Sequence, residues 1–282
     1  MVKSLARRIL FRGPSRRILS RPLLQPVWES LHKLSLYGMN YGGGNLVAGS
    51  GELWVMKWLW RRHEALRPGI PVVIFDVGAH NGSYSLSAVK IFGDEARIHS
   101  FEPSARVYES LRTATASHPN INAHNCGLSD RETTASLYYD AVGSQKASVH
   151  AEAYASPSDL ARGLLTAEEI HLRTADAYCE EHGISWIDLL KIDVEGDELN
   201  VLRGASRMID TGAVGAIQFE FGEAQIGSKT FFRDIHQFLS PRYKIHRILA
   251  LGLSNPLETY DVIFEVYRTT NYLAVLRDDL RR

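Results

Sequence analysis

The stretch Pro71-Val72-Val73-Ile74-Phe75-Asp76-Val77-Gly78-Ala79-His80-Asn81-Gly82 decides the fold. Its first half is a short continuous apolar run, which suits a buried strand, and its second half is a glycine turn. Residues 82–92 read as a helix, so the chain passes from buried strand through a tight loop into a helix. That passage builds a nucleotide-cofactor loop, because glycine backbone and helix N-terminal amides come close to a ligand there. Asp76 sits at the strand tip, where a carboxylate would repel a pyrophosphate and attract a ligand bearing an ammonium or a sulfonium.

Working outward, a second apolar strand at residues 97–101 ends in Glu102-Pro103, twenty-six residues after Asp76. A carboxylate there suits the two hydroxyls of a ribose. The dinucleotide fingerprint asks for a similar acid, but His80 occupies its middle glycine position, which weakens a nicotinamide reading. Further on, Trp186-Ile187-Asp188-Leu189-Leu190-Lys191-Ile192-Asp193-Val194-Glu195-Gly196-Asp197-Glu198-Leu199 gives another buried strand that breaks at Asp193 into a helix with an acid-rich first turn.

The strings DVGAHNG (76–82), FEP (101–103), LLKIDVEGDE (189–198), LRGA (202–205) and QFEF (218–221), in this order and at these intervals, resemble the FkbM-type family of S-adenosylmethionine-dependent methyltransferases. The resemblance covers roughly residues 70–225. It implies an α/β, Rossmann-like class I methyltransferase fold: a mostly parallel seven-stranded sheet with one antiparallel strand and helices on both faces. It also implies S-adenosyl-L-methionine as cofactor and O-methyl transfer to a carbohydrate or natural-product hydroxyl. One departure is His80, where the family loop more usually reads Asn.

In this reading Asp76 attracts the methionine ammonium, while Gly78 and Gly82 let backbone approach the cofactor. Ala79, His80 and Asn81 complete the loop, Glu102 holds the ribose, and Cys126, Gly127 and Leu128 lie along the adenine edge. Asp193 and Glu195 are the candidates for catalytic base or acceptor orientation, with Glu220 across the cleft. Three carboxylates can gather a magnesium ion, but the spacing does not require one, so no metal is assigned. Asp197 and Glu198 suit the helix dipole or a capping pair. Two other functions compete: N-methylation of a peptide or small amine, and a non-catalytic membrane-surface module that kept the fold.

The 282 residues, 45% of them apolar, suffice for one substantial core. We expect a basic extension and glycine-rich loop over residues 1–50 and a methyltransferase domain over 51–282. Formal charge is zero overall, yet residues 1–28 hold seven Lys or Arg and no acid, so the remainder carries 25 basic against 32 acidic residues. That disfavours nucleic acid as a partner of the main domain and leaves a small-molecule or glycan acceptor. The basic segment interleaves leucines and isoleucines with arginines, a pattern open to a membrane-surface contact, an organelle presequence or a disordered tail. Cys126 and Cys179 are too few for a disulfide framework, and a cytoplasmic location, peripheral at the membrane if the basic segment docks, fits the composition.

Along the chain, residues 25–36 read as a short helix and 37–51 as a Gly- and Asn-rich linker or flap. A helix after Ser50 and Glu52 would pack Trp54, Trp58 and Leu66 inward and leave Arg61 and Arg62 outside. Strands are expected at 72–76, 97–101, 121–126, 135–139, 187–193, 216–221, 243–249 and 272–276, with helices at 104–117, 197–209 and 230–239. Residues 261–267 are ambiguous. The crossover over 127–174 is long, with a small-polar loop at 143–148 and a mixed patch to 165; insertions of this length are usually functional.

Overall fold

The computed structural model describes residues 18–43, 50–139, 146–153 and 166–277. Twelve strands are seen among them: β1 Val72–Val77, β2 Ala96–Phe101, β3 Ile121–His124, β4 Gly127–Leu128, β5 Thr133–Tyr139, β6 Ala147–Ser148, β7 Thr166–Arg173, β8 Leu189–Ile192, β9 Ala216–Phe221, β10 Tyr243–Leu249, β11 Gly252–Leu253 and β12 Thr270–Leu276. The main sheet runs β11-β10-β12-β9-β8-β1-β2-β3. Pairings among β3, β2, β1, β8 and β9 are parallel, and β12 is antiparallel to both neighbours. The seven expected strands are thus present with β12 as the inverted one, and the two-residue β11 adds a short hairpin beside β10.

Alternation along the strands divides the core into two layers. Phe75, Val77, Leu190, Ile192, Ile217 and Phe219 face the helices Ala175–Glu181, Glu198–Gly204, Ser206–Asp210 and Phe232–Leu239. Val72, Ile74, Ile98, Leu189 and Ala216 face the helices Glu52–Leu66 and Ser83–Phe92. Covering both faces is what a parallel sheet requires, and it explains why these strands carry apolar residues on both faces away from their carboxyl ends. No helix among the described residues is long and apolar enough to cross a membrane.

Several expectations need correction. The helix Glu52–Leu66 buries Val55, Met56, Leu59 and His63; Trp54 and Trp58 are half-buried and stack on each other, and Leu66 is exposed. The helix expected over 197–209 is two helices, interrupted at Ala205. Residues 262–264 form a 3-10 turn. By contrast, His236 and His246, on patterned segments that suggest structural roles, each hydrogen-bond a backbone carbonyl, of Leu257 and Ser254 respectively.

The largest addition lies in the long crossover. Its segments build a second sheet, β4-β7-β5-β6, in which β5 and β7 pair over seven residues. Neither β7 nor the helix Ala175–Glu181 is anticipated from the sequence, because β7 (Thr166–Arg173) is half charged or polar and buries only Ile170 and Leu172. Residues 1–17 of the basic segment, 44–49 of the glycine-rich loop, part of the small-polar loop (143–145) and the patch at 154–165 lie outside the described residues.

Candidate active site

The loops that follow β1, β2, β8 and β9 converge at the carboxyl edge of the sheet, where ligands settle in parallel α/β folds. Two adjoining cavities open there. One is largely apolar, walled by Val107, Leu128, Leu137, Ile170 and Leu172 with Glu102 among them; β5 and β7 of the second sheet form its roof. The other is wide and polar, about 510 Å³, and carries Glu52, Glu220, Glu223, Lys146, Arg268 and Asn271. Gly78, His80, Asp193 and Glu195 line both.

Beneath this junction lies a layer of buried polar groups. Asp76 and Lys191 are register neighbours on β1 and β8, and the Lys191 ammonium stands 3.0 Å from Asp76 Oδ1 and 3.5 Å from Asp193 Oδ2. Lys191 also donates to the Gly78 carbonyl (3.1 Å) and lies over the Tyr84 ring. Burial works against its charge, but Asp76, Asp193 and Glu52 outweigh it and hold the ammonium above the ordinary lysine range. Ser85 Oγ donates to Asp76 Oδ2 (2.7 Å), and Gln218 links Glu52 to Tyr84. Lys191, two positions before Asp193 on the same strand face, is expected from sequence to pair with Asp193 or a neighbouring carboxylate, and it pairs with both Asp193 and Asp76. Tyr84, Glu52 and Gln218 do not stand out as site residues in the sequence. The signal was the strand parity that puts 76, 191, 193, 218 and 220 on one face.

Asp76 is fully buried and lines neither cavity; its carboxylate meets Lys191 and Ser85. The physical reason is direction: residue 76 points the same way as Ile74, under the helix Ser83–Phe92, so the attraction for the methionine ammonium expected of it, direct or through water, would act from beneath the cavity floor. Gly82 lines neither cavity either. Its φ is +82°, and a Cβ would lie 2.8 Å from Leu111 Cδ1, so this glycine serves the packing of two helices. Gly78, with φ +76°, does face both cavities, and a Cβ there would fall 1.8 Å from the Asp193 carbonyl oxygen. The loop after β1 therefore touches the backbone after β8, a contact only glycine permits.

Ala79 and Asn81 line the polar cavity, and Asn81 Oδ1 accepts from Ser83 N (3.2 Å) at the start of the next helix. His80 adopts φ +48°, in the left-handed region that Asn and His tolerate better than most residues. Both of its ring nitrogens are buried without a hydrogen-bond partner among the described residues.

Glu102 is buried, and each of its oxygens accepts a backbone amide, from His80 (2.9 Å) and from Ser104 (3.0 Å). Burial pushes its carboxyl up to about 7 although those amides pull the other way. Gly127 and Leu128 line the apolar cavity. Cys126 does not: it packs toward the core, and burial pushes its thiol up to about 11.

After β8 the chain turns through Glu195 (φ +54°) and Gly196 (φ +114°). Ser148 Oγ of the second sheet donates to the Glu195 carbonyl (2.6 Å), and Glu198 accepts the amides of Val194 and Gly196. Asp197 accepts from Ser129, His150 and Asn200. Asp197 and Glu198 thus brace the loop, while Asp193, Glu195 and Glu220 present carboxylate oxygens all within 4.8 Å of one another. Burial, reinforced by Asp193, Glu195 and Glu198, raises the Glu220 carboxyl well above its usual range. Where no metal is assigned from sequence, the structure gathers a trio of oxygen ligands able to hold a divalent cation.

The donor set fits S-adenosylmethionine: an apolar slot with one buried carboxylate suits an adenosine, and a carboxylate-lined junction suits a sulfonium.

A family model described as the methyltransferase FkbM domain matches residues 76–247. Methyltransferase sdnD of Sordaria araneosa is 30% identical over 165 residues, covering 49% of this chain and 61% of that protein. The 31-O-demethyl-FK506 methyltransferase FkbM of Streptomyces tacrolimicus is 29% identical over 175 residues, covering 54% of this chain and 66% of that protein. The match thus spans less than two thirds of the length of these relatives. Among solved structures, the methyltransferase FkbM from Methylobacillus flagellatus KT aligns with a TM-score of 0.43 at 17% identity, over 77% of this chain and 47% of that one.

Proposed function

The chain belongs to the FkbM methyltransferase family, and from that premise we propose that it is an S-adenosylmethionine-dependent O-methyltransferase acting on a hydroxyl of a carbohydrate or natural product. The observation that carries the reading is the shared wall: Gly78, His80, Asp193 and Glu195 lie where a narrow apolar slot meets a wide polar cavity. Glu102 would hold the ribose hydroxyls, with Gly127 and Leu128 against the adenine, and residues 78–81 would carry the methionine end. The bound cofactor supplies an electrophilic methyl group. The relative from Streptomyces tacrolimicus bears the name of a methyltransferase for an O-demethyl compound, which supports oxygen as the atom that receives it.

Asp193, exposed at the junction and steadied by Lys191, would take the acceptor proton late in the transfer. Glu195 would orient the acceptor, with Glu220 across the cleft from it. Much of the acceleration in such a site comes from aligning the two reactants. We assign residues 51–282 to this domain, since the helix Glu52–Leu66 and β12 complete its two layers beyond the matched 76–247.

Calorimetry with S-adenosylhomocysteine tests the reading: binding by the purified chain, lost in Glu102→Ala, is expected. Absence of binding would instead favour a protein that kept the fold without turnover. Transfer of labelled methyl to amines but not to hydroxyls would favour N-methylation.

A further inference from the structure

The helix Gln25–Gly38 stands away from the body of the protein, with Leu36 as its one buried residue. The residues just after it are tied down. Asn40 Nδ2 donates to the Ile248 carbonyl (3.0 Å), Arg247 Nη1 donates to the buried Tyr41 hydroxyl (2.9 Å), and Gly42 N donates to the Thr269 carbonyl (2.9 Å). Gly42 and Thr269 also line the polar cavity, so the helix springs from the rim of the proposed acceptor site.

Val27, Leu31, Leu34 and Tyr37 recur at helical spacing and form one stripe, with Leu23 a turn ahead; they are 50%, 47%, 64%, 81% and 87% exposed respectively. A helix of this length is marginal in water unless a face is packed, so the stripe calls for a cover. Charge identifies the cover. Residues 1–28 carry seven Lys or Arg and no acid. A second copy of the chain would bring two such segments together, whereas an anionic bilayer complements them.

We propose that this helix lies in the interface of an anionic phospholipid membrane, its stripe at the acyl boundary. The docking does not depend on the methyl-transfer reading. Combined with it, docking brings the polar cavity to the membrane surface and points to acceptors carried there, such as the saccharide of a lipid-linked glycan.

Flotation of the full chain tests the docking, using phosphatidylcholine–phosphatidylserine vesicles against phosphatidylcholine alone, beside a variant with Leu31→Glu and Leu34→Glu. The full chain is expected to float with the anionic vesicles only, and the variant to partition about tenfold less or weaker, with an unchanged thermal midpoint showing that it is folded. Failure of the full chain to float, or equal flotation of the folded variant, overturns the proposal. So does a vesicle-free dimer that the double substitution dissociates, since the stripe would then cover a second copy. Calorimetry with S-adenosylhomocysteine on the same samples reports separately on the methyltransferase reading.

Discussion

Lys191 and Asp76 face one another across β8 and β1 as register partners, both buried, with 3.0 Å between ammonium and carboxylate. Removing one partner of such a pair leaves the other charge uncompensated in a poorly solvated place. Lys191→Met is therefore expected to cost about 3–5 kcal/mol in chemical denaturation, and the double substitution with Asp76→Asn to regain much of that loss. A Lys191→Met protein as stable as the parent would show that the pair does not hold the two strands' ends.

Gly78 and Gly69 both have positive φ, but they differ in what surrounds them. A Cβ at Gly69 meets nothing within 4 Å, whereas at Gly78 it meets the Asp193 carbonyl at 1.8 Å. Gly69→Ala should cost about 1–2 kcal/mol from backbone strain alone. Gly78→Ala should cost more than about 3 kcal/mol or prevent folding, because two loops must part. Equal midpoints for the two variants in thermal unfolding would contradict the close approach.

Glu102 can accept from both ribose hydroxyls on both of its oxygens only when ionised, and burial has moved its carboxyl up to about 7. Affinity for S-adenosylhomocysteine should therefore be full above that value and weaken as the pH falls through it. Glu102→Gln should bind weakly and lose this dependence. A parent affinity that stays flat across pH 7 by calorimetry would remove Glu102 from the ribose.

Asp193→Asn is expected to keep cofactor affinity while lowering the transfer rate about 10²-fold or more, the usual worth of a positioned base. Glu220→Gln keeps the shape of the side chain and removes only a charge that burial and its acidic neighbours already disfavour, so transfer should survive largely intact. Loss of transfer in Glu220→Gln that added magnesium restores would mean instead that the trio works by holding a cation. Labelled-methyl assays on the two variants separate these outcomes.

His99 and His124 share the Tyr178 hydroxyl, at 2.8 Å from each, and burial lowers both imidazoles to about 4. The unfolded chain takes up these protons near pH 6.5 and the folded chain only near 4, so their contribution to stability is present above 6.5 and lost as the pH falls to about 4. Burial raises Glu198 to about 7, the opposite case: its contribution is present below 4.5 and lost as the pH rises through 7. Urea unfolding between these limits should show a steeper loss of stability on acidification for Glu198→Gln than for the parent. An identical pH profile would mean that Glu198 is not perturbed.

The alternation of strand and helix from residue 71 onward was legible because each parallel strand is apolar on both faces and each helix carries its own stripe; both patterns are local. The order of motifs at 76–82, 102 and 193–198 likewise placed the site at the strand ends, since that edge is fixed by chain direction. The second sheet was not legible. Thr166–Arg173 alternates weakly, and its pairing with Thr133–Tyr139 joins residues some thirty positions apart, which no window of sequence contains.

Chemistry follows the same division. The sequence by itself determined the family, the class of fold and the acids available to a cofactor and acceptor, because these depend on residue type and spacing. Only the tertiary structure decided which acids face the ligand space. Side-chain direction at a strand end turns on one residue of register: Asp76 was sent under a helix to meet Lys191, Gly82 to a helix contact, Cys126 to the core, and Asp193, Glu195 and Glu220 to a common point.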